Sequence, residues 1–311
     1  MSESIFGALA VPYHEPREGF WGEKTVTLNF CEEDYVVSYY CAEICNVSIS
    51  PAPQLSPQHM LMCLKGIRDC LKYDHPAIFV VAFVGYMIVG TGSTLFHATL
   101  KYPMQLVDEL SMIYTTCLMC FATFSYGRSR SLSVLLAFAL AGLSWYITAR
   151  YYHTKDPQFH QDAYAVLTAF VVFSNMWIME RTVRPALKER QGKRSPASHV
   201  VPADAIVKDM WIMVATGGFL IWNLDNVYCD TIRRWRHSMG LPWAVILEGH
   251  AWWHLMTGIG AYYYITWRIW IHRCLDGDED RYRLSWSSVF AMPDVVAAED
   301  VASVENGKKA V

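Results

Sequence analysis

Long apolar runs separated by short polar stretches dominate the chain between residues 76 and 267. A bilayer core takes about 20 apolar residues as a helix. Six runs meet that length with almost no charge: 76–98, 103–125, 131–149, 161–179, 209–229 and 243–267. Each is predicted to be a transmembrane helix. A seventh, first span is expected over 46–64, but that stretch carries Pro51, Pro53 and Pro57 with Gln54, Gln58 and His59. Prolines remove helical hydrogen bonds, and hydrocarbon supplies no water to replace them. The expected fold is an all-α polytopic membrane bundle of seven helices, the first atypical or damaged, with residues 47–62 inserting poorly.

Composition agrees with the pattern. The 311 residues are 53% hydrophobic, 14% aromatic and 18% charged, too apolar for an average soluble protein of this length. A net charge of -3 gives no basic surplus for neutralising phosphates, so nucleic acid is dropped as a partner. Cys117 and Cys120 have the spacing of a metal or redox pair but lie in an uncharged stretch far from other cysteines, and read as packing. The first ten residues have no basic region followed by a long apolar one, so a cleaved signal peptide is not expected.

Lys and Arg enrichment marks cytoplasmic loops. With seven spans, the side holding the N-terminus collects 8 of these residues and the other side 18. The N-terminus is therefore expected in the lumen and the C-terminus in the cytosol. Three regions follow: a luminal segment over 1–45, the membrane bundle over 46–270, and a polar cytosolic tail over 271–311, read as flexible from Asp276 onward.

Ionisable residues inside membrane helices are expensive and mark functional sites. His250 and His254 are four residues apart, so they share one helix face. Ala251 follows His250, so this is not the zincin motif, and another residue must serve as base. His97 ends the 76–98 run, and Asp108 lies in the first turns of the next helix. The short Thr99 to Tyr102 link turns these two helices into a hairpin. Three histidines with an open fourth position make the ligand set of a catalytic zinc site. Ser93, one turn before His97, points the same way. The charge count puts all of these near the luminal helix ends, together with Trp222-Asn223-Leu224-Asp225-Asn226. Asn29, Glu32, Asp34 and Glu43 form an oxygen-rich cluster of the type hard cations accept, or else a solvated acidic loop.

Several segments resemble the alkaline ceramidases: Glu-Gly-Phe-Trp-Gly at 18 to 22, Asn-Phe-Cys-Glu-Glu-Asp-Tyr at 29 to 35, and Ala-Glu-Ile-Cys-Asn at 42 to 46. So do Ser-Thr-Leu-Phe-His at 93 to 97, Lys-Tyr-Pro-Met-Gln-Leu-Val-Asp-Glu-Leu at 101 to 110, Trp-Asn-Leu-Asp-Asn at 222 to 226, and His-Ala-Trp-Trp-His at 250 to 254. The resemblance implies a seven-helix hydrolase of the endoplasmic reticulum or Golgi that cleaves ceramide to a sphingoid base and a fatty acid. It places zinc on His97, His250 and His254, the water-activating carboxylate on Asp108, and a serine beside the reaction centre on Ser93. It places calcium on Asn29, the backbone oxygen of Phe30, Glu32, Asp34 and Glu43. The family often has aspartate at position 29 and asparagine at position 34, and both residues found here still offer an oxygen. The family pattern also supports a disulfide between Cys31 and Cys229, both luminal by the charge count. Residues 47–62 depart from the family's ordinary first helix, and similarity resumes at Lys65-Gly66-Ile67-Arg68. The alternatives are a seven-helix receptor of the progestin and adiponectin receptor type, which has a similar buried histidine site but the opposite orientation, and a non-catalytic membrane protein.

Overall fold

The computed structural model describes residues 10–47, 57–192, 218–286 and 291–300. Its helices are α1 (Ile44–Val47), α2 (Pro57–Lys72), α3 (Ala77–Thr99), α4 (Tyr102–Phe124), α5 (Arg130–Thr154), α6 (Pro157–Ile178), α7 (Arg184–Gly192), α8 (Gly218–Val227), α9 (Cys229–Met239) and α10 (Gly249–Asp276). A π-helical turn, Met179–Val183, joins α6 to α7, and a 3-10 turn, Trp243–Leu247, precedes α10. Among the described residues, four helices are long and apolar enough to cross a membrane: Ala77–Thr99, Tyr102–Phe124, Arg130–Thr154 and Pro157–Arg190. These correspond to the second to fifth expected spans.

The remaining expected spans are only partly matched. Of the run 209–229, residues 209–217 lie outside the described residues, and the helix that follows breaks at Tyr228 between α8 and α9. The last helix starts at residue 249, not 243, because Trp243–Leu247 is wound as a 3-10 turn. In the first span, Pro51 and Pro53 lie outside the described residues. Pro57 does not break a helix; it begins α2, where a proline's missing N–H has no partner to lose. At 16 residues and about 1.5 Å per residue, α2 falls short of a bilayer core.

The α3–α4 hairpin forms as the short link predicted. Leu100 adopts a left-handed conformation (φ 51°) and its N–H bonds the Phe96 carbonyl, closing α3. Pro103 then sits in the first turn of α4. The main core lies between α2, α3, α4, α6 and α10, where Met62, Phe79, Phe83, Met119, Trp267 and Ile271 pack together. Cys117 and Cys120 are buried, as packing residues are. Arg268, fully buried in α10, donates to the Ala122 carbonyl near the end of α4. By contrast α5 turns Leu135, Phe138 and Trp145 outward, as a lipid-facing helix does.

The two ends of the bundle are closed differently. At one end the N-terminal segment lies over α3: Tyr35 and Ala42 pack with Phe96 and Leu100, and Thr25 N–H bonds the Leu100 carbonyl. At the other end the described parts of the tail, 276–286 and 291–300, are folded rather than free as expected from Asp276; residues 287–290 and 301–311 lie outside the described residues. Strands β1 (Tyr282–Ser285) and β2 (Asp294–Ala297) pair antiparallel, a departure from an all-α chain. They are tied down by an ion pair of Lys65 with Asp294, by Tyr262 Oη donating to Asp294 Oδ1 at 2.9 Å, and by His75 Nε2 against the Val295 carbonyl at 2.9 Å. Those partners come from α2, α10 and the turn before α3, which sequence spacing along the tail alone does not reveal.

Candidate metal centre

His97, at the end of α3, meets His250 and His254 from the first turns of α10. One ring nitrogen from each lies within 4.8 Å of the others. His97 and His250 are buried. The i, i+4 spacing on α10 brings its two rings to 4.6 Å centroid separation at right angles, so they address one point from two directions. His97 Nε2 lies 2.9 Å from His254 Nε2. His250 has both ring nitrogens buried with no hydrogen-bond partner among the described residues. Buried imidazole nitrogens without partners cost free energy in a protein alone, and a cation between the three rings removes that cost. The donor set fits zinc.

The second ring nitrogen of His97 is committed. Nδ1 lies 2.5 Å from Glu43 Oε2, leaving Nε2 for the cluster. A carboxylate on the far nitrogen fixes the tautomer and raises the basicity of the nitrogen that faces a metal. His250 is clamped by stacking, with Phe30 on one side at 3.8 Å and Trp253 at 5.3 Å. Trp253 also packs edge-on against His254 at 5.0 Å.

Ser93 is buried on α3 one turn before His97, and Asp108 is buried on α4. Their helices approach closely between them. A Cβ built on Gly92 would stand 3.0 Å from the Asp108 backbone nitrogen and 3.1 Å from its Cα. Glycine at 92 therefore lets the Asp108 backbone press against α3 beside Ser93. Glu109, one residue on, turns away to another group: Tyr151 Oη donates to its Oε2, and His160 Nε2 lies 2.8 Å from its backbone carbonyl. The Asp108 backbone thus lies against α3 at Gly92, and its side chain is buried.

The expected calcium residues share the N-terminal segment, with mixed commitments. Asp34 Oδ1 and Glu43 Oε1 are buried without hydrogen-bond partners among the described residues, as oxygens awaiting a hard cation would be. Asp34 Oδ2 is paired with Lys24. Both Glu32 oxygens take backbone N–H groups, from Cys45 at 2.7 Å and Asn46 at 2.9 Å, and the Phe30 carbonyl accepts from Arg233. Asn29 is exposed. Burial pushes the Glu43 carboxyl up to about 8; burial, then the Glu248 and Glu43 charges, raise that of Glu32. Both groups are held where a cation would be welcome, but only Asp34 and Glu43 offer spare oxygens.

Sequence reasoning missed the polar network beneath this segment. Arg236, fully buried in α9, pairs with Glu248 at 2.9 Å. It also donates to the Cys31 carbonyl at 2.7 Å and the Leu247 carbonyl at 3.1 Å. Tyr13 Oη donates to the other Glu248 oxygen at 2.9 Å. Asp225, from the 222–226 segment, accepts the Gly249 N–H at 3.2 Å and so caps the helix that carries His250 and His254. The disulfide that the family pattern implied is present: Cys31 is joined to Cys229, with Cα atoms 5.4 Å apart. The only signal in the sequence was the number of charges packed into the turns between the last helices, which names no partners.

Residues 22–296 match the family described as Ceramidase. The chain is 35% identical over 254 residues to alkaline ceramidase 3 of Mus musculus, covering 81% of this chain and 86% of that protein. It is 31% identical over 265 residues to the alkaline ceramidase YPC1 of Saccharomyces cerevisiae, covering 80% and 77%. It is 26% identical over 247 residues to an alkaline ceramidase of Arabidopsis thaliana, covering 78% and 82%.

Proposed function

The chain belongs to the ceramidase family, and from that premise we propose that it hydrolyses the N-acyl amide bond of ceramides, giving a sphingoid base and a free fatty acid. The observation that carries this reading is the meeting of His97, His250 and His254, with two orphaned nitrogens on His250. The three histidines would hold zinc, and when bound it supplies Lewis acidity that polarises a carbonyl and makes water a stronger acid. Asp108 takes the proton of the attacking water and passes it to the leaving amine. Ser93 donates a hydrogen bond to the oxygen that gains charge on the acyl carbon. Both aliphatic chains of the substrate stay in the bilayer, where water is scarce and each of these interactions is stronger.

In this reading the bundle has seven spans, α2 being the short first one. It sits in the endoplasmic reticulum or Golgi membrane with its N-terminus luminal and its C-terminus cytosolic. Asp34 and Glu43, with Asn29, Glu32 and the Phe30 carbonyl around them, would hold calcium beside the zinc ligand His97.

The test is fatty-acid release from defined ceramides by the purified protein, with and without a chelator. Release should stop on zinc removal and return on zinc addition. His97→Ala, His250→Ala and His254→Ala should each abolish release and lower bound zinc. Full zinc occupancy in all three variants would sink the site as drawn, and no release from any ceramide would leave a receptor or structural role instead.

A further inference from the structure

A second group of side chains converges at the end of the bundle covered by the N-terminal segment. Glu15, Glu33 and His237 place one ligand-type atom each within 4.8 Å of the others. The His237 ring stands between the two carboxylates, with Nε2 3.0 Å from Glu33 Oε1 and Nδ1 3.9 Å from Glu15 Oε1. Tyr13 packs edge-on against the ring at 5.3 Å and limits its rotation.

The Glu33 carboxylate is what makes this more than a surface ion pair. Glu33 is 7% exposed, and its second oxygen, Oε2, is buried with no hydrogen-bond partner among the described residues. Both oxygens sit on one carbon, so the orphan lies beside the imidazole, and a proton on His237 satisfies only Oε1. A buried charged oxygen without a partner is costly. A cation shared by the carboxylate and the ring would satisfy it. Glu15, whose side chain is 87% exposed, leaves the group open to solvent and is free to swing onto an incoming ion.

We propose that Glu15, Glu33 and His237 form a second divalent-metal site, selective for zinc-class ions. One imidazole and two carboxylates with an open fourth position suit zinc, whereas calcium takes six to eight oxygens. Two ligands come from the N-terminal segment and the third from α9, so an ion there cross-links the two. Glu15 lies four residues after Val11, which bridges to Leu241, Glu33 lies two residues after Cys31 of the disulfide, and His237 lies on α9. Tyr13 touches the His237 ring and, through its hydroxyl, holds Glu248, the residue before α10 begins. The ion would therefore fasten the cover over the three-histidine cluster without being part of that cluster.

The test uses the full chain in detergent with His250→Ala and His254→Ala, which empties the first cluster, and Zn2+ as the probe in a competition titration. One zinc per chain should remain. Adding Glu15→Gln or His237→Asn should weaken it by at least about tenfold. In the otherwise unaltered chain the same two substitutions, at exposed and half-buried positions, should lower the zinc count from two to one and remove the rise in Tm that excess Zn2+ produces. No zinc in the first background, or an isotherm and Tm response unchanged by both substitutions, would overturn the site. Should the double-alanine background fail to fold, the zinc count of the unaltered chain against His237→Asn decides alone.

Discussion

His97 Nδ1 and Glu43 Oε2 are 2.5 Å apart across 54 residues of sequence, and this contact joins the N-terminal segment directly to the three-histidine cluster. If Glu43 sets the tautomer and basicity of His97, Glu43→Gln should weaken zinc by about 10- to 100-fold while the chain stays folded. Competition with a chelator of known affinity measures it. Unchanged affinity would show that the contact only packs.

Asp108→Asn keeps the shape of the side chain and removes its ability to take a proton. Zinc content should be unchanged and turnover should fall about 10²- to 10⁴-fold. Near-normal turnover would point to a different base, although Glu109 is occupied by Tyr151 and is turned about 100° away on the helix.

The Gly92 contact predicts a packing defect with a catalytic readout. In Gly92→Ala the added carbon meets the Asp108 backbone at 3.0 Å, so α3 and α4 must separate slightly. The expected cost is about 1 to 3 kcal/mol of stability, with turnover lowered several-fold because Ser93 and Asp108 lie on opposite sides of that contact. Thermal unfolding in detergent and kcat are the measurements, and a variant with unchanged Tm and kcat would mean the helices are looser than drawn.

Arg236 is buried against Glu248 and two backbone carbonyls. Removing one partner of a buried pair leaves the other uncompensated, at about 3 to 5 kcal/mol. Arg236→Met should therefore expose the N-terminal segment to protease while the bundle helices stay protected. Equal cleavage of both chains would show that the disulfide alone holds the segment.

The long-range parts of the molecule divide clearly by how they are written in the chain. His250 and His254 were legible because helical periodicity alone puts them on one face, and the α3–α4 hairpin because a short link joins its two helices. The four apolar helices were legible by length. Arg236, Glu248 and Tyr13 were not, because each gains its meaning from a partner on another turn and none has a local period. The tail was misread for a similar reason: Asp294 and Val295 look solvated in sequence, and only their contacts with Lys65, Tyr262 and His75 fold them. Pro57 was misread because a proline signals a break inside a helix and a start at its first residue, and sequence spacing did not separate the two.

The bond between Cys31 and Cys229 has a temporal meaning for a chain made from its N-terminus. The two residues are separated by 198 positions, so at about 5 to 20 residues per second roughly 10 to 40 s pass before the second thiol exists. Throughout that interval Cys31 is a thiol with Cys41 and Cys45 only 10 and 14 residues further along, which are the nearest wrong partners on offer. Correct pairing therefore depends on the early thiol being kept reduced, or reshuffled afterwards, until α9 has been made. Newly synthesised chains should pass through an isomerase-dependent stage, and the bond is a record that synthesis has passed Cys229.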